Sequence, residues 1–209
     1  AKELDPSKEP GAGNEGTGNM TGAEIVQYFP ESVKRYKWWA NHEYDYPTMR
    51  RAHEAGVAAG DGGMWQTLRY RRIMPEIRKV EPDARGLVTE CGITELVTGT
   101  RDIGYTAIMS PEEYWRELRW YNNRLIEDAA YMEGAAIFQA GAEERLWSTF
   151  EILGTSIIDE MAAISPGTPA IQFEEEPTVT LRDQFPDAFN AWIQAGGDDS
   201  EAFRFYLLA

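Results

Sequence analysis

Leu87-Val-Thr-Glu-Cys-Gly92 is a short run of strand-forming residues that ends in a carboxyl. Leu, Val and Thr suit a pleated, half-buried backbone, so 87–91 reads as a short buried strand with Glu90 near its C-terminal end. Glu81-Pro-Asp-Ala-Arg-Gly86 connects into it, and 93–109 follows as a long loop without clear period.

Working outward, the upstream residues 66–80 place Ile73, Met74, Ile77 and Val80 on one helical face, with Pro75 as a kink or restart. Residues 48–58 read as helix and Gly60 to Gly63 as a break. Trp38-Trp-Ala-Asn-His-Glu-Tyr44 reads as a second buried strand, with Asn41, His42, Glu43 and Tyr44 at its C-terminal end. Thr21-Gly-Ala-Glu24 is a capping-box pattern followed by Ile25, Val26 and Phe29. Pro30 interrupts, and Glu31 to Tyr36 starts a further helical turn. The glycine-rich stretch around Asn14-Glu15 is a strand end or a loop, and 1–11 is the tail of a helix followed by a loop.

Downstream, Ser110-Pro-Glu-Glu113 combines an N-cap, a first-position proline and a capping Glu. The helix it starts is expected to run to about Met132, with Tyr114, Leu118, Tyr121, Leu125 and Ala129 along one face. Gly134-Ala-Ala-Ile-Phe-Gln-Ala-Gly141 reads as a third strand, and 146–158 as helix or irregular chain. Residues 165–180 hold three prolines and Glu174-Glu-Glu176 and read as a linker. Residues 181–209 read as a small helical extension with Phe189, Trp192, Phe203 and Leu207 on its apolar side.

Composition narrows the function. With 43% hydrophobic and 12% aromatic residues, the 209-residue chain can fill a core. Its net charge of −15 disfavours binding to nucleic acid or to an anionic membrane through general electrostatics. No run approaches the ~18 apolar residues of a membrane span, and no signal peptide is visible. The single cysteine, Cys91, rules out an internal disulfide and a cysteine-based zinc site. Seven Trp and ten Tyr are core packing first and candidate sugar-stacking surfaces second.

Alternation of short buried strands with helices predicts an α/β fold with parallel strands. Each strand ends in chemically able residues: Asn14-Glu15, His42-Glu-Tyr44, Glu90 and Gln139. In (β/α)8 barrels the active site lies at those C-terminal ends.

Taken in order, these segments resemble the retaining (β/α)8-barrel glycoside hydrolases that carry catalytic glutamates on strands four and seven. Leu87-Val-Thr-Glu-Cys-Gly92 looks like the strand-seven nucleophile motif, and His42-Glu-Tyr44 looks like the strand-six region beside it. Leu68-Arg-Tyr-Arg71, Gly134 to Gly141 and Trp147-Ser-Thr-Phe-Glu151 follow the same order. The resemblance spans 10–160 and implies a partial TIM barrel, strands five to eight, within a domain 1–164. It implies Glu90 as nucleophile, a carbohydrate substrate and no cofactor. It also favours an extracellular location. It puts strand four, with its acid/base, before residue 1. Glu15, in Asn14-Glu15, mimics that acid/base pair, but only one strand separates it from strand seven where two are needed. An isolated half barrel is expected to be unstable or to pair with another chain or with its missing half.

Each candidate also has a plainer role. Glu90 can close a barrel mouth with a salt bridge. His42 and Tyr44 can orient Glu90, contact a sugar or simply satisfy a strand end. Asn14 and Gln139 can bind sugar hydroxyls. Trp147 or Trp65 can stack on a sugar or pack on a helix. Glu43 should point away from its neighbours, towards a structural role. Cys91 should face packing, His53 should be exposed, and Arg69 and Arg71 should form ion pairs. Three other readings stay open: a carbohydrate-binding barrel without chemistry, a structural or interaction domain, and a metal-dependent barrel hydrolase using His42, Glu43 and Glu90. Two His in the chain and no metal-binding pattern leave no metal site predicted.

Overall fold

The computed structural model describes residues 10–58, 64–99, 101–142 and 145–164. The linker and helical extension read at 165–209 lie outside these residues, as does almost all of 1–11. The described chain is an α/β fold with one four-stranded parallel sheet in sequential order. The strands are β1 (Gly11–Glu15), β2 (Trp38–Asp45), β3 (Arg85–Ile93) and β4 (Met132–Ile137). The helices are α1 (Gly22–Tyr28), α2 (Pro30–Arg35), α3 (Arg51–Ala58), α4 (Tyr70–Val80), α5 (Pro111–Glu127) and α6 (Ser156–Ala163).

Local chemistry sets the element boundaries. Both predicted capping boxes form: Thr21 with Glu24 starts α1, and Ser110 with Glu113 starts α5. The helix expected over 66–80 begins only at Tyr70, because the N–H groups of Leu68 and Tyr70 donate to the buried Glu43 carboxylate. α4 then runs through Pro75 without a break. α5 stops at Glu127, short of Met132, where Asp128 caps it and the backbone turns back into β4. Met132 is itself a strand residue, and its side chain fills the space that Gly86 leaves on β3. The loop expected over 93–109 contains two 3-10 turns, Glu95–Thr98 and Tyr105–Ala107. A third, Arg145–Phe150, precedes α6.

The helices share one face of the sheet. From β2, the Glu43 side chain reaches the start of α4 and, through Tyr121, α5. α1 packs on α4 so closely that a Cβ on Gly22 would sit 2.8 Å from the Arg72 and Ile73 carbonyl oxygens. Trp39, Asn41, Glu43, Val88, Cys91 and Met132 are buried on this side, as the alternation of a strand requires. The opposite face bears Ala40, Leu87 and Ala136, and Leu87 is exposed there. Parallel sheets ordinarily have both faces covered; among the described residues, helices cover this sheet on one side.

Two register shifts shape the C-terminal edge. Gly13 aligns with Ala40 and Glu15 with Asn41, which leaves Asn14 unpaired with φ 88°. Asn tolerates this left-handed backbone better than most residues. In β3, Val88 aligns with Asn41 and Glu90 with His42, which leaves Thr89 as the extra residue. A bulge of this kind re-aims side chains. Here it lets both Thr89 and Glu90 face β2 on the helix-free side, while Cys91 returns to the core.

Candidate functional site

The C-terminal ends of the strands border an open cleft of ≈ 420 Å³. Glu90 lines it, with a third of its side chain exposed (36%). Tyr44 donates its hydroxyl to Glu90 Oε2 at 3.0 Å, and His42 Nδ1 lies 3.2 Å from the same oxygen. His42 Nε2 is 2.8 Å from Asn14 Oδ1, which also accepts from the Thr89 hydroxyl at 2.7 Å. The two bulged residues thus hold the imidazole from the side away from Glu90. Gly92 lies beside the Tyr44 ring, where a Cβ would press on the Tyr114 hydroxyl at 2.9 Å.

Burial and the negative charge of Glu90 push the Tyr44 phenol well above its ordinary value. Tyr44 therefore remains a donor at any physiological pH, which suits a group that stabilises an ionised carboxylate. The remaining oxygen of Glu90, Oε1, accepts no hydrogen bond among the described residues. A carboxylate anchored through one oxygen, with the other facing an open cleft, is aimed for attack on an electrophilic carbon or for proton transfer.

The cleft wall is aromatic. Phe138 stands 5.4 Å from both Trp147 and Phe150, edge to face, and 6.4 Å from Tyr44. Trp147 and Phe150 sit on the 145–150 turn. That turn is tied down where the Gly104 N–H donates to Thr149 Oγ1 at 2.8 Å and the Tyr105 hydroxyl to the Glu151 carbonyl at 2.7 Å. The Glu151 carboxylate accepts the N–H groups of Gly141, Ala142 and Leu153, and these bonds hold its carboxyl below the usual range.

Of the sequence candidates, Glu90, His42, Tyr44 and Trp147 line this cleft, and Asn14 supports His42. Two do not reach it. Glu15 aligns with Asn41, on the helix side, and its charge acts on Arg69. Gln139 lies just past β4, and its backbone bonds to Phe150 and Ile152. The neighbouring Phe138 enters the cleft in its place. Sequence reasoning also missed Thr17, whose hydroxyl bridges the His42 carbonyl and the Tyr44 N–H at 3.1 Å each. Asp102 was missed as well. It lies on the segment without period that offered no signal.

The other candidates fall on the helix side or the surface. Glu43 is fully buried and accepts from Asn41, Leu68, Tyr70 and Tyr121 at 2.6–2.9 Å. Burial pushes its carboxyl up to about 7 against the pull of those four bonds. Cys91 is buried beside it, and burial raises its thiol. Arg71 pairs with Asp128 and Glu127, as expected. Arg69 instead donates to the carbonyls of Gly16 and Met20. His53, expected to be exposed, is half-buried with its ring 5.8 Å from Trp120. Trp65 lies outside the cleft, under the Arg72 guanidinium. Among the described residues no group of three or more His, Cys, Asp or Glu is placed to hold a metal ion.

No protein-family model matches the chain, and no curated protein or solved structure matches it.

Proposed function

We propose that the described residues form strands five to eight of a (β/α)8-barrel retaining glycoside hydrolase, with Glu90 as its nucleophile. One observation carries this reading. A carboxylate at the C-terminal end of a parallel strand is held by a Tyr hydroxyl and a His on one oxygen, inside an open cleft walled by aromatic rings. The fold supports it. Sequential parallel strands whose described helices pack on one face, with Ala40, Leu87 and Ala136 on the other, suit a sheet that closes on itself.

In this reading Glu90 attacks the anomeric carbon as the glycosidic bond breaks, forming a glycosyl ester that water then hydrolyses. Tyr44 and His42 hold the carboxylate oriented. The aromatic wall takes the apolar face of the sugar ring. The acid/base carboxyl, about 5–5.5 Å from the nucleophile in such enzymes, comes from the part of the barrel that closes onto β1 and β4. Its substrate is a poly- or oligosaccharide.

The position of Glu15 favours a second reading, carbohydrate binding without turnover, because the one Asn-Glu pair at a strand end sets Glu15 in register with Asn41, on the helix side, and outside the cleft. Stereochemistry separates the two. Proton NMR of the first sugar released from aryl glycosides is expected to show the anomer of the substrate. Release of the opposite anomer eliminates the covalent route, and binding without release supports the second reading.

A further inference from the structure

Among the described residues, the Asp, Glu, Lys and Arg side chains that line the cleft are all acidic. Among the described residues that line it there is no Lys or Arg, and its two full charges are Glu90 and Asp102. Asp102 is exposed and makes no hydrogen bond or ion pair among the described residues. The adjacent Arg101 does not neutralise it, because that guanidinium is tied to Glu95 at 2.8 Å. Glu90 is already engaged by Tyr44 and His42. Apart from Thr17, His42 and Thr94 the remaining wall is apolar or aromatic, and the faces of aromatic rings such as Trp147 attract cations. Such a cleft disfavours a uronate or sulfated sugar, which would meet two carboxylates and, among the described lining residues, no Lys or Arg. A neutral sugar fits but leaves Asp102 unused. A sugar bearing a protonated amine meets both the aromatic faces and the free carboxylate, and the net charge of −15 draws it in.

We propose that this cleft selects an amino-sugar oligosaccharide with free ammonium groups, and that Asp102 determines the selectivity by pairing with one of them. The proposal rests on the glycosidase reading of the same site and names its substrate class.

The test uses the full chain and two β-1,4-linked glucosamine oligosaccharides of equal length, one with free amines and one fully N-acetylated. Calorimetric titration is run at a pH below the amine's own pKa. The free-amine sugar is expected to bind about fivefold more tightly, the scale of an exposed ion pair near 1 kcal/mol. Asp102→Asn should bring the two affinities together, and added salt should do the same in the unaltered chain. Asp102 is exposed, so its replacement leaves the fold intact, which circular dichroism checks. Equal affinity of the unaltered chain for both sugars overturns this proposal and leaves the glycosidase reading standing. Selectivity that survives Asp102→Asn overturns the role of Asp102. Binding of neither sugar overturns this proposal, and the glycosidase reading then stands or falls on the stereochemical test alone.

Discussion

On aryl glycosides whose leaving group departs without a proton, Glu90→Gln is expected to lower turnover by at least about 10³-fold, the scale at which loss of a covalent nucleophile shows in rate measurements. Gln has the same shape and still accepts the Tyr44 hydroxyl, so the cleft keeps its form. Its amide cannot form the glycosyl ester. The Glu90 side chain is 36% exposed and takes no part in the core. The melting temperature should therefore stay within a degree or two of the parent. The measurement is kcat alongside a thermal melt. Turnover retained at the parent level contradicts the nucleophile assignment, and a large fall in melting temperature would mean that Glu90 braces the fold.

The second large effect concerns stability. Glu43→Ala removes the acceptor of four hydrogen bonds in a fully buried setting, leaving the N–H groups of Leu68 and Tyr70, the Tyr121 hydroxyl and the Asn41 amide unpaired. Leu68 sits at φ 60°, a left-handed backbone that a branched side chain adopts only when held. A loss of about 3–5 kcal/mol is expected, since each buried donor left unsatisfied costs about 1–3 kcal/mol and some of the four can relax. Glu43→Gln should cost less, because one oxygen survives, although its NH2 then faces donors.

The same group gives a pH dependence with a definite sign. Burial raises the Glu43 carboxyl from 4.5 to about 7, so the folded chain holds this proton more tightly than the unfolded chain. Its contribution is fully present below about pH 4.5, declines as pH rises and is lost above about pH 7. The slope is at most ~1.4 kcal/mol per pH unit. Denaturant titrations between pH 4.5 and 7.5 should show this limb in the parent and not in Glu43→Gln. A parent whose stability is flat or rising over that window contradicts the assignment.

What the sequence disclosed follows from the kind of signal each element carries. β2 and β3 were legible because Trp38-Trp39 and Leu87-Val88 are runs of large side chains, and strand alternation turned Glu43 and Cys91 inward. The capping residues disclosed the starts of α1 and α5. Bulges leave no periodic trace, so neither the unpaired Asn14 nor the extra Thr89 was visible. Yet these two place Glu90 beside His42 and hold the imidazole in position. The start of α4 was misplaced because a carboxylate distant in sequence takes its first N–H groups. Gln139 was preferred over Phe138 on polarity alone, whereas the strand ends at Ile137 and the following residues turn. Asp102 lies in a segment whose path is set by contacts with the 145–150 turn, which no local pattern encodes. Polar residue types at strand ends were readable. Which of them share a face was readable only where the strand is regular.

The central claim is that Glu90 forms a covalent bond to the anomeric carbon of a sugar. Incubation of the full chain with a 2-deoxy-2-fluoroglycosyl fluoride, followed by intact-mass and peptide mass spectrometry, tests it directly. The fluorine slows breakdown of the glycosyl ester more than its formation, so the ester accumulates. One added sugar mass, located on the peptide that contains Glu90 and absent from Glu90→Gln, is the predicted result. A label on a different carboxyl, or hydrolysis of aryl glycosides by a chain that never acquires the label, would contradict it.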